Sequence, residues 1–237
     1  AMAIVREKER GNMELLITTP VSSAELMVGK DPIAALVKSA VQHGDFEHKA
    51  GSTLTLYAQT GVKTRHLVVV SVADVSPVQV RSALNAAWSV LKSIKIKRLG
   101  VHAAFNMSAK TLQVAASTLA DASYSYTSTL SQPKPRSLKW VVFSTPQVHA
   151  EQRAAVAHAQ ALVSGIELAK EWANRPANHC TPAMLADAAK SIAKGAGFKC
   201  EVLGPKEVTK LGMGAFLAVA RGAAEPLRFI VMRYNGA

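Results

Sequence analysis

A chain of 237 residues that is 49% hydrophobic but only 5% aromatic is long enough for one large domain or two modest ones around an aliphatic, Ala-rich core. No uninterrupted apolar run reaches bilayer length, and no secretory h-region follows the opening AMAIVREKERG, so neither a membrane span nor a signal peptide is expected. The formal charge of +12 permits binding to nucleic acid or an anionic surface, and two cysteines, Cys180 and Cys200, suit a reduced cytoplasmic compartment better than a disulfide framework.

Met13–Thr19 reads as a first strand closed by Pro20, and Asp31-Pro32 supplies a cap and first-turn proline for a helix to about Gln42. Gly44 to Gly51 is polar and turn-rich. Thr53, Thr55 and Tyr57 alternate with Leu54, Leu56 and Ala58, the period of a strand with one face more buried. Gly61 sits in the following turn, and Leu67–Ser71 is a β-branched run typical of an interior strand. Ser76-Pro77 opens a helix whose apolar stripe is Val80, Leu84, Trp88 and Leu91.

Leu99–Phe105 returns to strand, Ala109–Leu119 to helix and Leu138–Ser144 to strand. Between the last two, Ala122–Pro135 is rich in Ser, Thr, Tyr and Pro, with Tyr124 and Tyr126 as candidate anchors. Gln147–Trp172 is Ala-rich and helical. Pro176 stops it and pushes Arg175 out of the α region; Thr181 caps the next helix and Pro182 starts it, to about Lys194. A strand near Lys199–Leu203, a short helix near Lys206–Leu211, a strand centred on Leu217–Val219 and a strand at Leu227–Tyr234 follow.

The alternation predicts an α/β fold: a layered amino-terminal accessory domain with a mixed sheet over 1–150, a long connector helix over 151–173, and the start of an incomplete α/β domain over 174–237.

The candidate chemical groups are sparse. Histidines at 43, 48, 66, 102, 149, 158 and 179 form no HExxH or other close ligand set. Cys180 follows His179, but no third group is spaced to orient a nucleophile–base pair, and Cys200 sits in an apolar-flanked strand. Gly195–Gly197 follows a helix, the wrong order for a dinucleotide-binding turn, and reads as its C-terminal stop. Gly212-Met-Gly214 is too short for a phosphate loop, and Arg221-Gly222 reads as a turn. Asn174, Arg175, Asn178 and Thr181 are read as polar groups that satisfy backbone where two helices break. Lys92, Lys95, Lys97 and Arg98 form a basic cluster, read as a solvated helix end with an anion patch as the alternative.

The second half resembles the leucyl aminopeptidase family. The resemblance rests on Gly165-Ile-Glu-Leu-Ala169, Asn174-Arg-Pro-Ala-Asn178, Thr181-Pro182, Leu185-Ala186 and Lys206-Glu207. It continues through Leu211-Gly-Met-Gly-Ala215, Val219-Ala-Arg-Gly222 and Arg228 through Tyr234-Asn-Gly236. Ala223 stands where the family commonly has Ser, and Leu227 lies where Pro is common. The resemblance implies a metallo-exopeptidase that hydrolyses amino-terminal residues from peptides, with two divalent ions (Zn or Mn), a cytoplasmic location and a homohexameric assembly in the intact form.

The family's metal-binding carboxylates and lysine, its catalytic lysine and its bicarbonate-associated arginine match no position here. No catalytic, cofactor-binding or metal-binding residue is therefore assigned, no cofactor is expected in residues 1–237, and this stretch alone is expected to be an inactive scaffold or assembly portion. The alternatives are a basic DNA-binding module and a non-catalytic interaction domain.

Overall fold

The computed structural model of the protein describes residues 2–3, 13–18, 32–47, 49–57, 66–103, 106–144 and 149–235, which fall into two compact units. One unit holds residues 1–125 and 134–167, the other 126–133 and 168–237. The expected cap at Asp31, the turn at Gly61, the stop at Pro20, His48 and the ends of two elements at Phe105 and Gln147 lie outside the described residues.

In the first unit, β1 (Met2–Ala3), β2 (Met13–Thr18), β3 (Thr53–Tyr57), β4 (His66–Ser71), β5 (Arg98–His102) and β6 (Trp140–Ser144) make a mixed sheet. Its order is β3-β4-β2-β5-β6; β4, β2, β5 and β6 run parallel, β3 is antiparallel to β4, and β1 pairs antiparallel with the end of β2. Strand β4 has neighbours on both sides and residues 67–71 are all buried, which is why its sequence is a nearly unbroken β-branched run rather than an alternation.

Alternate residues of β4 serve opposite faces. Leu67 and Val69 pack with Val37 of α1 (Pro32–Gln42) and Phe46. Val68 and Val70 join the larger core with α2 (Pro77–Leu91) and α3 (Ala109–Ser123). The helix α2 buries Val80, Ala83, Leu84, Ala87 and Leu91, the stripe its 3.6-residue period requires. Ser76 caps it by accepting from Gln79 N at 3.4 Å, with proline in the first turn, and Ser108 caps α3 by accepting from Thr111 N at 3.1 Å.

Several boundaries differ from the sequence reading, among them the end of β5, which stops at His102 with Ala103 already outside the strand rather than running to Phe105. Helix α3 continues a turn past Leu119 to Ser123. Strand β6 begins at Trp140 because the N–H groups of Lys139 and Trp140 both donate to Lys97 O, at 2.7 and 3.2 Å, before the regular ladder starts; Leu138 is buried but not in the strand.

Helix α4 (Ala150–Ala173) begins in this unit. Gln152 is buried there, and its amide donates to Met107 O at 2.6 Å while its Oε1 accepts from His149 N at 2.7 Å. Burying the amide is tolerable because both its ends are hydrogen-bonded.

The second unit contains α5 (Pro182–Ala196), β7 (Lys199–Leu203), α6 (Pro205–Lys210), α7 (Gly214–Ala220) and β8 (Phe229–Arg233). Strands β7 and β8 pair antiparallel, and α5 lays Ala186, Ala189 and Ala193 inward. Gly197 ends α5 in the left-handed region (φ 73°), its N–H bonding Ala193 O, as the sequence order suggested. The expected strand at Leu217–Val219 is a helix instead. Gly-Ala-Phe-Leu-Ala-Val-Ala contains three alanines and a leucine, which favour helix, and Phe216 sets its ring edge-on against Phe229 at 5.5 Å between centroids.

Candidate functional site

The break between α4 and α5 is the most chemically crowded stretch of the second unit. Asn174 N still bonds Lys170 O at 3.0 Å, and Arg175 N reaches only Trp172 O at 3.3 Å, so the ladder tightens and stops. Pro176 is extended (φ −66°, ψ 160°), and a single 3-10 turn, Ala177–His179, carries the chain to Cys180. Thr181 Oγ1 then accepts from Met184 N at 3.3 Å, satisfying one free donor of α5.

The side chains at the break divide differently from expectation. Of Asn174, Arg175, Asn178 and Thr181, Thr181 is the one whose side chain bonds backbone among the described residues. Arg175 turns back along α4: Nη2 donates to Glu171 at 3.1 Å, and the guanidinium lies 4.0 Å above the Trp172 ring centroid. Glu171 also accepts from the Ser128 hydroxyl. The carboxylate thus ties residues 126–133 to the helix, and its charge is balanced by Arg175. These are bonds that hold a turn in shape; they engage Arg175 Nη2, while its Nε is buried without a hydrogen-bond partner among the described residues.

The histidines are scattered. His43 bonds Ser39 O at 2.8 Å through Nδ1, and His66 stands edge-on to Tyr57 at 5.3 Å. His102 ends β5, His149 directly precedes α4, His158 lies in its amino-terminal half, and His179 is exposed in the 3-10 turn beside Cys180. Cys180 and Cys200 are both free and half-buried. Among the described residues no three His, Cys, Asp or Glu side chains come together as a metal ligand set, so these residues do not fit a binuclear centre.

Sequence reading missed a cluster in the first unit. Arg136 donates from Nε to Ser123 O and from Nη2 to Ala120 O, both at 3.1 Å, and also from Nη2 to the Glu167 carboxylate. One guanidinium therefore closes the carbonyl end of α3 and attaches α4 to it, a cation at the negative end of a helix. Its partners lie 13 to 31 residues away, so no local pattern marks it.

Near the start of α6, Glu207 accepts from its own N–H and from Gly204 N, the latter at 2.9 Å, which holds its carboxyl below the ordinary value of 4.5.

Comparison with known proteins matches both units. Residues 22–133 match the model of the cytosol aminopeptidase family's N-terminal domain, and residues 167–237 match that of its catalytic domain. The chain belongs to the cytosol aminopeptidase family. A probable cytosol aminopeptidase of Albidiferax ferrireducens is 46% identical over 209 residues, covering 88% of this chain and 43% of that protein. One from a Polaromonas species is 47% identical over 211 residues, covering 88% and 41%.

The chain thus spans about two fifths of the length of these curated relatives. Among solved structures, a substituted tomato leucine aminopeptidase superposes with a TM-score of 0.74 at 24% identity, over 95% of this chain and 48% of that one. The bottromycin maturation enzyme BotP in complex with Mn gives 0.70 at 23%, over 95% and 46%. At these identities the structural likeness shows the fold alone.

Proposed function

We propose that residues 1–237 are the amino-terminal and early catalytic portion of a metal-dependent aminopeptidase that releases amino-terminal residues, leucine among them, from peptides. The observation that carries the reading is the order of the two family matches along one chain that covers only 43% of a 46%-identical relative. The described residues assemble no metal ligand set, so the hydrolytic step is assigned to residues of the relatives beyond the matched part. Two divalent ions, Zn or Mn, would there activate water and polarise the peptide carbonyl.

In this reading the segment 1–150 is an accessory domain, 151–173 a rigid connector, and 174–237 the opening of the catalytic domain. Together they act as scaffold and assembly surface for a cytoplasmic homohexamer. The test is release of p-nitroaniline from leucyl-p-nitroanilide with Mn or Zn supplied, by the 237-residue chain and by the product of the open reading frame that contains it. Activity in the longer product alone is expected. Equal activity in the 237-residue chain would place the chemistry here after all, and a longer product inert with both metals would sink the parent assignment.

A second reading, duplex DNA as a partner, is favoured by the turn after α2, where Lys92, Lys95 and Lys97 are all exposed. Binding that weakens steeply with salt supports it, and no binding at low salt excludes it.

A further inference from the structure

Between α3 and α4 the first unit leaves an open cleft of about 180 Å³. It is lined by Val141 and Phe143 of β6 and by small side chains of both helices, Ala116 and Ala120 on α3 and Ala159 on α4. The lining is mostly apolar, yet two cations reach it, Arg136 and Lys139. Lys139, just before β6, lines the cleft together with Val141 and Phe143, so its stem borders it.

The two cations are not equivalent. Arg136 is engaged by Ala120 O, Ser123 O and the Glu167 carboxylate, which neutralises it. Lys139 is exposed and, among the described residues, its ammonium has no carboxylate within ion-pair distance. Among the described residues, Lys139 is therefore a positive charge without a carboxylate partner beside an apolar recess.

We propose that this cleft is a binding site for a small monocarboxylate with a compact branched or aromatic body. The volume suits such a body, since a cavity of about 150 Å³ lined by apolar side chains accepts benzene. The apolar part lies on Val141 and Phe143 beside the alanines, and the carboxylate pairs with Lys139 Nζ. A neutral isostere keeps the apolar contact and loses the charge-assisted bond. A diacid leaves one carboxylate against the apolar lining. The site is in the first unit and does not depend on the peptidase reading.

The experiment is titration of the 237-residue chain with 4-methylpentanoate, followed by NMR shifts and calorimetry, beside 4-methylpentanamide. Two variants accompany it: Lys139→Gln, an exposed position that leaves packing intact, and Ala120→Leu, which fills the cleft from α3. Saturable binding of the acid is expected, weakened about tenfold or more in the amide and in Lys139→Gln, the ratio that one such bond supplies, and lost in Ala120→Leu. Absence of saturation up to about 20 mM, the weak limit for so small a ligand, overturns the proposal. So does equal binding of acid and amide, or an affinity indifferent to Lys139→Gln.

Discussion

Replacing Arg136 by methionine keeps the aliphatic stem and removes the guanidinium that joins α3 to α4. Two bonds to α3 carbonyls, both 3.1 Å, are lost, each contributing about 1 kcal/mol. The pair with Glu167, whose side chains are 28% and 30% exposed, adds about 0.5 kcal/mol after allowance for solvent screening. The expected loss is therefore about 2–3 kcal/mol, a shift of about 1 M in the urea midpoint of the first unit, followed by circular dichroism. Glu167→Gln alone should cost under about 1 kcal/mol, and the double variant should show a coupling of about 0.5 kcal/mol. Two results refute the capping account: a loss below about 0.5 kcal/mol in Arg136→Met, or a loss that vanishes once Glu167 is neutral. The second would mean that an ion pair, and not the carbonyl end of α3, is what Arg136 serves.

Three further outcomes follow from particular positions. Leu84→Ala, at a fully buried site in the larger core, should cost about 3–4 kcal/mol by denaturant unfolding, while Val78→Ala, 73% exposed on the same helix, should stay within about 0.5 kcal/mol. Gly165→Ala, exposed inside α4 with open space at its Cβ, should stabilise by about 0.5–1 kcal/mol, whereas Gly197→Ala at φ 73° should cost about 1 kcal/mol; thermal unfolding distinguishes the signs. Because the folded carboxyl of Glu207 is held below its ordinary 4.5, its contribution is complete above that value and disappears as pH falls through the depressed one. The protection factor of the α6 amides, taken against their intrinsic exchange rate at each pH, should accordingly fall as pH drops below 4.5, and Glu207→Gln should abolish that dependence.

How much could be read from the sequence depended on how far a residue's partners lie along the chain. The β-branched run of β4, the stripe of α2, the caps at Ser76 and Thr181 and the stop at Gly197 are all determined within a turn or two, and all were legible. Helix α7 was misread because seven small and apolar residues carry no decisive period, and the contact of Phe216 with Phe229 spans a turn that the pattern does not show. The last turn of α3 was hidden for a similar reason. The Ser- and Tyr-rich run that begins at Ala122 suggests a loop, and the group that stabilises the turn's carbonyls, Arg136, comes from beyond a proline-containing segment. At the break after α4 the residue types were right and the partners were wrong: Arg175 bonds a carboxylate on its own helix instead of orphan backbone. The recess beside Lys139 had no sequence signature, since its lining comes from α3, the segment before β6, β6 and α4, which are far apart in sequence.

The bond from Ser125 Oγ to Lys134 O, 2.6 Å long, joins the two points where residues 126–133 depart from the first unit and return to it. A segment with pinned ends behaves as a detachable loop: lengthening it costs only slowly growing closure entropy and leaves α3 and β6 in place. Evolution could therefore insert or delete residues there freely, and Ser128, which holds Glu171, is the position where such tolerance should abruptly end.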